Sequence, residues 1–247
     1  MSVVFRSSLV VAFLLVSSQA DAREMAADRP DKTESPITVD KGRFQFETDF
    51  VSYTKEGASS ELLFANINAK YGVTNWMDLQ VIFAPARRVA FSSGELQGSK
   101  WGISDLTLRT KFNFFGNDEG ERALGLIGFV TLPTAADSKN VTGGLSVPYA
   151  FSLGSFDIGV MAQLDMGDTF DLSTMATCGH ALVGDLSGYV EFFNTLPSFR
   201  TTGWIATADV GLTYGVNEDF QLDANAHFGV TDAADDLYLF TGFTWRL

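Results

Sequence analysis

Two histidines, one cysteine and a large excess of carboxylates are the side chains with chemistry to offer in this 247-residue sequence. Thirty Asp and Glu against seventeen Lys and Arg give a formal charge of −13. Many of these charges recur at alternate positions, as in Glu47 and Asp49, Arg109 and Lys111, or Asp223 with Asn225 and His227. Lys70, Asp78, Asp105 and Asp209 sit in stretches of the same kind. Carboxylates and cations facing a common space set up a field across it, which orients polar solutes or favours ions of one sign. The same groups can instead neutralise one another as ion pairs in a closed interior. The spacing fits both.

Other chemistries find less support. A lipid hydrolase needs a Ser/His pair with an orienting polar group, but no serine accompanies His227, and His180 shares its face with Cys178 and Leu182. The histidines read as hydrogen-bonded wall residues, and Cys178 as a small wall residue without an activating neighbour. Neither metal-ligand spacing nor a phosphate loop appears, so the expectation is a non-enzymatic protein with no metal and no cofactor. The acidic balance would repel nucleic acid.

The elements that must position these charges follow from a period of two, the strand signal. From Gly42 onward it recurs: Phe44, Phe46, Thr48 and Phe50 alternate with Gln45, Glu47 and Asp49, and Leu222, Ala224, Ala226 and Phe228 alternate with Gln221, Asp223, Asn225 and His227. Twelve strands are expected, near 42–54, 61–71, 77–85, 102–115, 121–132, 142–153, 156–166, 174–184, 186–196, 203–214, 220–230 and 236–247. Gly154-Ser155 forms a two-residue hairpin turn that sets Leu153 opposite Phe156. The order Tyr-Gly-Val, three residues, an apolar residue, a polar one and Leu occurs at 71–79 and again at 214–222. Pairing Tyr214 with Phe220 would set Leu212 against Leu222 and Thr207 against His227; in the first copy Lys70 would meet Asp78, a cross-strand ion pair.

An even strand count brings both ends of the sheet to one side. Short turns (72–76, 154–155, 215–219) then fall there and longer connections (86–101, 133–141, 167–173, 231–235) on the other, the asymmetry of an outer-membrane barrel. A soluble sandwich would share the alternation, but Tyr71, Trp76, Tyr214 and Trp245 at one set of strand ends and Trp101 and Trp204 at the other form two aromatic girdles. The fold expected is therefore all-β: a single antiparallel up-and-down transmembrane β-barrel of about 12 strands. Its lumen would carry Glu47, Asp49, Asp78, Asp105, Asp157, Asp165, Glu191, Asp209 and Asp223 against Lys70, Arg109, Lys111 and Arg246, with His227 beside Thr207.

Two segments precede the barrel. Arg6, the apolar run Leu9–Val16, and Ala20-Asp21-Ala22 read as a secretory signal over 1–22, cleaved after Ala22. Residues 23–41 are polar, with two prolines in Arg29 to Asp40, and form either a periplasmic tail or a lumen plug ahead of the barrel at 42–247.

Several stretches, in order, are distinctive: Arg29-Pro30-Asp31-Lys32-Thr33-Glu34-Ser35-Pro36, Gly116-Asn117-Asp118-Glu119-Gly120, Leu132-Pro133-Thr134-Ala135, Gly143-Gly144-Leu145-Ser146-Val147-Pro148 and Gly229-Val230-Thr231-Asp232-Ala233-Ala234-Asp235-Asp236. Together with Ser104-Asp105-Leu106 and Ala208-Asp209-Val210-Gly211, this series resembles the bacterial outer-membrane family labelled for the MetA pathway of phenol degradation. The resemblance implies an outer-membrane barrel and the passage of small solutes, aromatic compounds among them. Partners would be outer-membrane lipids, the barrel-assembly machinery and a small-molecule solute. Location in the outer membrane of a Gram-negative cell, with both barrel ends of the chain periplasmic, completes the expectation; a non-conducting structural or surface-binding barrel is the alternative, and a barrel lipid hydrolase the third.

Overall fold

A computed structural model describes residues 23–93, 96–118 and 120–247; the leader expected over 1–22 lies outside these. Fifteen strands form one antiparallel sheet. They are β1 (Phe44–Glu56), β2 (Ser59–Phe64), β3 (Ile67–Thr74), β4 (Met77–Phe83) and β5 (Ala86–Ser93). There follow β6 (Leu96–Gly102), β7 (Leu106–Phe115), β8 (Arg122–Leu132), β9 (Thr142–Leu153) and β10 (Phe156–Met166). The last five are β11 (Phe170–Val183), β12 (Leu186–Leu196), β13 (Ile205–Asn217), β14 (Phe220–Gly229) and β15 (Leu237–Arg246). Three crossings are interrupted, between β2 and β3, β4 and β5, and β6 and β7, so fifteen strands make twelve crossings. Pairing of β1 with β15 closes the sheet into a barrel, which leaves no unpaired edge along the seam.

The interruptions have local causes. Ala65 takes a positive φ of 51° between β2 and β3, and Pro85, which has no N–H for a ladder, separates β4 from β5. Beyond these breaks β2, β5 and β6 continue as a meander. The connection expected over 86–101 is thus largely a β-hairpin: its alternation is masked by Arg87-Arg88 and by polar residues that no bilayer constrains. Arg87 on this hairpin reaches Glu61 at 2.7 Å and Asp137 in the 133–141 connection at 2.7 Å. The hydrogen bond from Arg87 holds the Asp137 carboxyl below the usual carboxylate range. The long connection expected over 167–173 also shrinks, to 167–169, because β11 starts at Phe170.

Both ends of the barrel meet on one rim, where Leu247 donates its backbone N–H to Phe44 at 2.8 Å. Turns at 75–76, 154–155, 184–185 and 218–219 lie on that rim. The Gly154-Ser155 hairpin pairs Leu153 with Phe156, as its turn chemistry demands, Gly154 having a φ of 64°. The two Tyr-Gly-Val turns pair differently from the expectation. Each is a two-residue turn preceded by a bulge, between Gly72 and Thr74 and between Gly215 and Asn217. Tyr214 therefore opposes Leu222, Leu212 opposes Ala224 and Asp209 opposes His227; Lys70 opposes Gln80, and the Lys70–Asp78 pair does not form. A displacement of two residues keeps every side chain on its face, which is why the polarity pattern could not detect it.

The faces are inverted relative to a water-soluble protein. Outward side chains include Val81, Leu108, Val147, Val160, Val190 and Val210, all exposed, while buried inward positions are dominated by Gln45, Glu47, Asp49, Lys70, Asp78, Lys111, Glu191, Asp209 and Arg246. An apolar exterior around a polar interior is the arrangement of a barrel standing in lipid. Tyr71, Trp76, Tyr214 and Trp245 remain exposed at the rim of the chain ends, and Trp101 and Trp204 at the other, where Trp101 stacks on Phe64 with ring centroids 5.9 Å apart.

Candidate functional site

The lumen is where the charges converge, and residues 23–41 lie within it as a U. From Lys41, bridged to Gly72 at the rim, the chain runs inward. Val39 donates its N–H to Asp78 (3.1 Å), Thr38 its N–H to Asn117 (2.9 Å), Asn113 donates to the Pro36 carbonyl (2.9 Å), and Lys111 to the Ser35 carbonyl (2.7 Å). Around the bend, Glu34 meets Arg109 at 2.5 Å, and Glu191 accepts the N–H groups of Lys32 and Thr33, both at 2.7 Å, and the Thr33 hydroxyl. The return limb brings Asp28 onto Lys70 and Lys111 together, and the Ala26 carbonyl onto Gln45. Ser35 donates across the two limbs to Asp28 (3.1 Å), and Arg23 pairs with Asp40 at the base of the U.

Arg29 makes the most complete of these contacts. Its Nε and Nη2 form a fork on the two oxygens of Asp223 at 2.8 and 2.7 Å, and its Nη1 reaches Asp49 at 2.5 Å. The fork fixes direction as well as charge. Its guanidinium also stacks over Phe240, 4.9 Å from the ring centroid. The wall thus has a basic side, Lys70, Arg109 and Lys111 on β3 and β7, and an acidic side, Asp49, Glu191, Asp209 and Asp223 on β1, β12, β13 and β14. The segment turns Asp28 and Glu34 to the first and Arg29 to the second.

Glu47, Asp49, Lys70, Asp78, Arg109, Lys111, Asp209 and Asp223 all sit on the inner wall. Lys70 finds Glu47 and Asp28 rather than Asp78. Asp105 differs: it lies in the break before β7 and binds the Ala135 N–H (2.9 Å) and the Ser138 hydroxyl (2.6 Å), an anchor for the 133–141 connection. His227 is not beside Thr207 but faces Asp209, with Nε2 and Oδ2 3.0 Å apart, inside a ring of edge-on neighbours: Phe193, Tyr238 and Phe240. His180, on the outer face, contacts the Ser155 carbonyl. Reading the strands alone finds Glu191 but misses Asp28, Arg29 and Glu34, the charges of the inner segment that meet the wall. The signal available was the alternation of charge sign through Asp28-Arg29-Pro30-Asp31-Lys32-Thr33-Glu34 in a segment with no apolar period.

Close approach of the segment to the wall depends on glycine at two inward positions. A Cβ on Gly125 would stand 3.1 Å from the Pro36 backbone, and one on Gly159 3.1 Å from the Thr33 methyl. A bulky group at Gly125 must push the segment away, so Gly125→Ile is expected to weaken its seating by about 1–3 kcal/mol, the usual cost of overpacking. Limited trypsin digestion in detergent, followed at the Lys32–Thr33 bond, measures this; cleavage as slow as in the parent protein would refute the seating.

Comparison with known proteins places the fold. No curated protein matches the chain. Among solved structures, the NanC porin superposes with a TM-score of 0.54 at 9% identity, covering 83% of this chain and 100% of that one. The KdgM porin does so with a TM-score of 0.50 at 7% identity, covering 82% and 98%. Both are barrels of the outer-membrane porin type, and the fold of this chain is that type. A family model described as "Putative MetA-pathway of phenol degradation" matches residues 27–247, every strand and all but the first four residues of the inner segment, and the chain belongs to that family.

Proposed function

We propose that this barrel is a passive route for small solutes across the bacterial outer membrane, with residues 23–41 as the element that occupies and controls its lumen. The observation that carries this reading is how the interior is filled. The wall does not close the lumen with its own side chains; a separate stretch of chain lies there, held by hydrogen bonds and ion pairs to inward charges. Such contacts exchange with water and solute more readily than an interdigitated apolar core does. A barrel of twelve crossings lies between those filled by side chains and the open channels of larger ones, so removal of the segment leaves an aqueous path.

Aromatic solutes are part of the proposal. Phe193, Tyr238 and Phe240 face inward around His227, on strands whose other inward residues are polar. An aromatic ring entering from the rim opposite the chain ends would meet edge-to-face partners there. The orientation proposed puts the rim of the chain ends, with its short turns, in the periplasm, and the β5–β6 hairpin and the 133–141 and 230–236 connections outside.

Planar-bilayer recording tests the reading. The chain 23–247 should show low or intermittent conductance, and the barrel lacking 23–41 a larger and steadier one. Absence of conductance from both would count for a structural barrel instead.

A further inference from the structure

The cations of the inner wall already hold carboxylates, and apart from Glu47, which shares Lys70, those on Lys70, Lys111 and Arg109 belong to the displaceable segment. Lys70 and Lys111 are 2% and 1% exposed, and their ammonium groups converge on the two oxygens of Asp28, one on each. Arg109, one inward position along β7 from Lys111, takes Glu34. On the facing wall Glu191 is satisfied differently, by two backbone N–H groups and the Thr33 hydroxyl rather than by a cation. The lumen therefore presents paired cations for a carboxylate on one side and, across from them, a carboxylate that accepts from neutral donors.

Resting on the channel reading above, we propose that this barrel selects small carboxylates that also carry hydroxyl groups, and that such a solute passes by taking the places of Asp28 and Glu34 on Lys70, Lys111 and Arg109 while its hydroxyls replace Thr33 on Glu191. The segment is then a resident competitor: it keeps Lys70, Lys111 and Arg109 paired when no solute is present, and when it yields, Glu47 stays on Lys70 while the solute's carboxylate is shared between Lys111 and Arg109. A neutral solute cannot take over the carboxylate contacts and a cationic one is repelled by the three basic groups. The acidic charge of the facing wall is partly offset by Arg29, which pairs with both Asp49 and Asp223 while it remains seated.

Sugars of one ring size separate the terms. Full-length mature chain in liposomes is presented with glucuronate, glucose or glucosamine, and swelling rates are compared. Glucuronate is expected to enter about tenfold faster than glucose, the factor set by about 1.4 kcal/mol, at the lower end for a hydrogen bond to a charged group. Lys111→Gln should bring the ratio towards one, and Arg109→Gln, an independent variant should the first fail to fold, should do the same. In detergent, glucuronate but not glucose should speed trypsin cleavage after Lys32, which reports displacement of the segment. Equal entry of glucose and glucuronate, faster entry of glucosamine, or a ratio unmoved by both variants overturns carboxylate selection and leaves the channel standing; no entry of any sugar overturns the channel itself.

Discussion

Replacing Arg29 with leucine is expected to free the lumen segment and to cost about 3–5 kcal/mol, the penalty for removing one partner of a buried ion pair. The magnitude comes from what remains behind. Asp223 loses a forked partner and Asp49 its contact at 2.5 Å, and both carboxylates are buried in a wall that offers no other arginine within reach of them among the described ion pairs. Leucine keeps an apolar contact with Phe240 but cannot compensate two negative charges. Cleavage after Lys32 in detergent should become fast, and bilayer conductance should approach that of the barrel lacking 23–41. Adding Asp223→Asn in the same chain removes one stranded charge and should recover part of the loss, a coupling readable as a double-mutant cycle. If Arg29→Leu unfolds in urea at the parent's midpoint and its segment stays protected, the ion pairs do not hold the segment.

The second large effect concerns the other face. Val190 is 58% exposed at the middle of β12, between Cys178 and Val210 on the neighbouring strands. Val190→Arg is expected to destabilise the barrel by about 2–4 kcal/mol, the cost of a cation at the bilayer midplane. Val183, 73% exposed at the end of β11 beside the chain-end rim, provides the depth control: Val183→Arg should cost no more than about 1 kcal/mol, since charges near the interface reach water. Unfolding of both variants in lipid vesicles measures the difference. Equal costs would mean that the outer face does not cross a membrane at that height.

The features legible in the sequence are those that repeat at every second residue. Period two assigns Leu212, Leu222 and Phe228 to the apolar face and Glu47, Lys70 and Asp209 to the lumen, and the chain folds with those faces. Register was legible at the Gly154-Ser155 hairpin but not at the two Tyr-Gly-Val turns, because bulges after Gly72 and Gly215 shift pairing by two without changing any face. The β5–β6 hairpin was hidden for a related reason: above the bilayer neither face of a strand need be apolar, so the alternation that marks Phe44 to Phe50 is lost around Arg87. The partners of Asp28 and Glu34 lay beyond any local pattern. An ion pair between Asp28 and Lys111 spans 83 positions of chain, and only closure of the barrel brings the two into one space.

That residues 23–41 enter and leave by the same mouth has a topological consequence. A chain drawn through a ring from one side to the other is entangled: freeing it means passing an end along the whole bore. A bight pushed into a ring from one side is not, and it can be withdrawn without moving any end through the barrel. The base of this bight is held by Arg23 on Asp40, with Arg246 beside both. A pull applied from the chain-end rim would load this contact before it reaches those deeper in the lumen, so the segment should come out one contact after another, from the rim inward, at lower force than a threaded chain would need, and should be able to go back the same way.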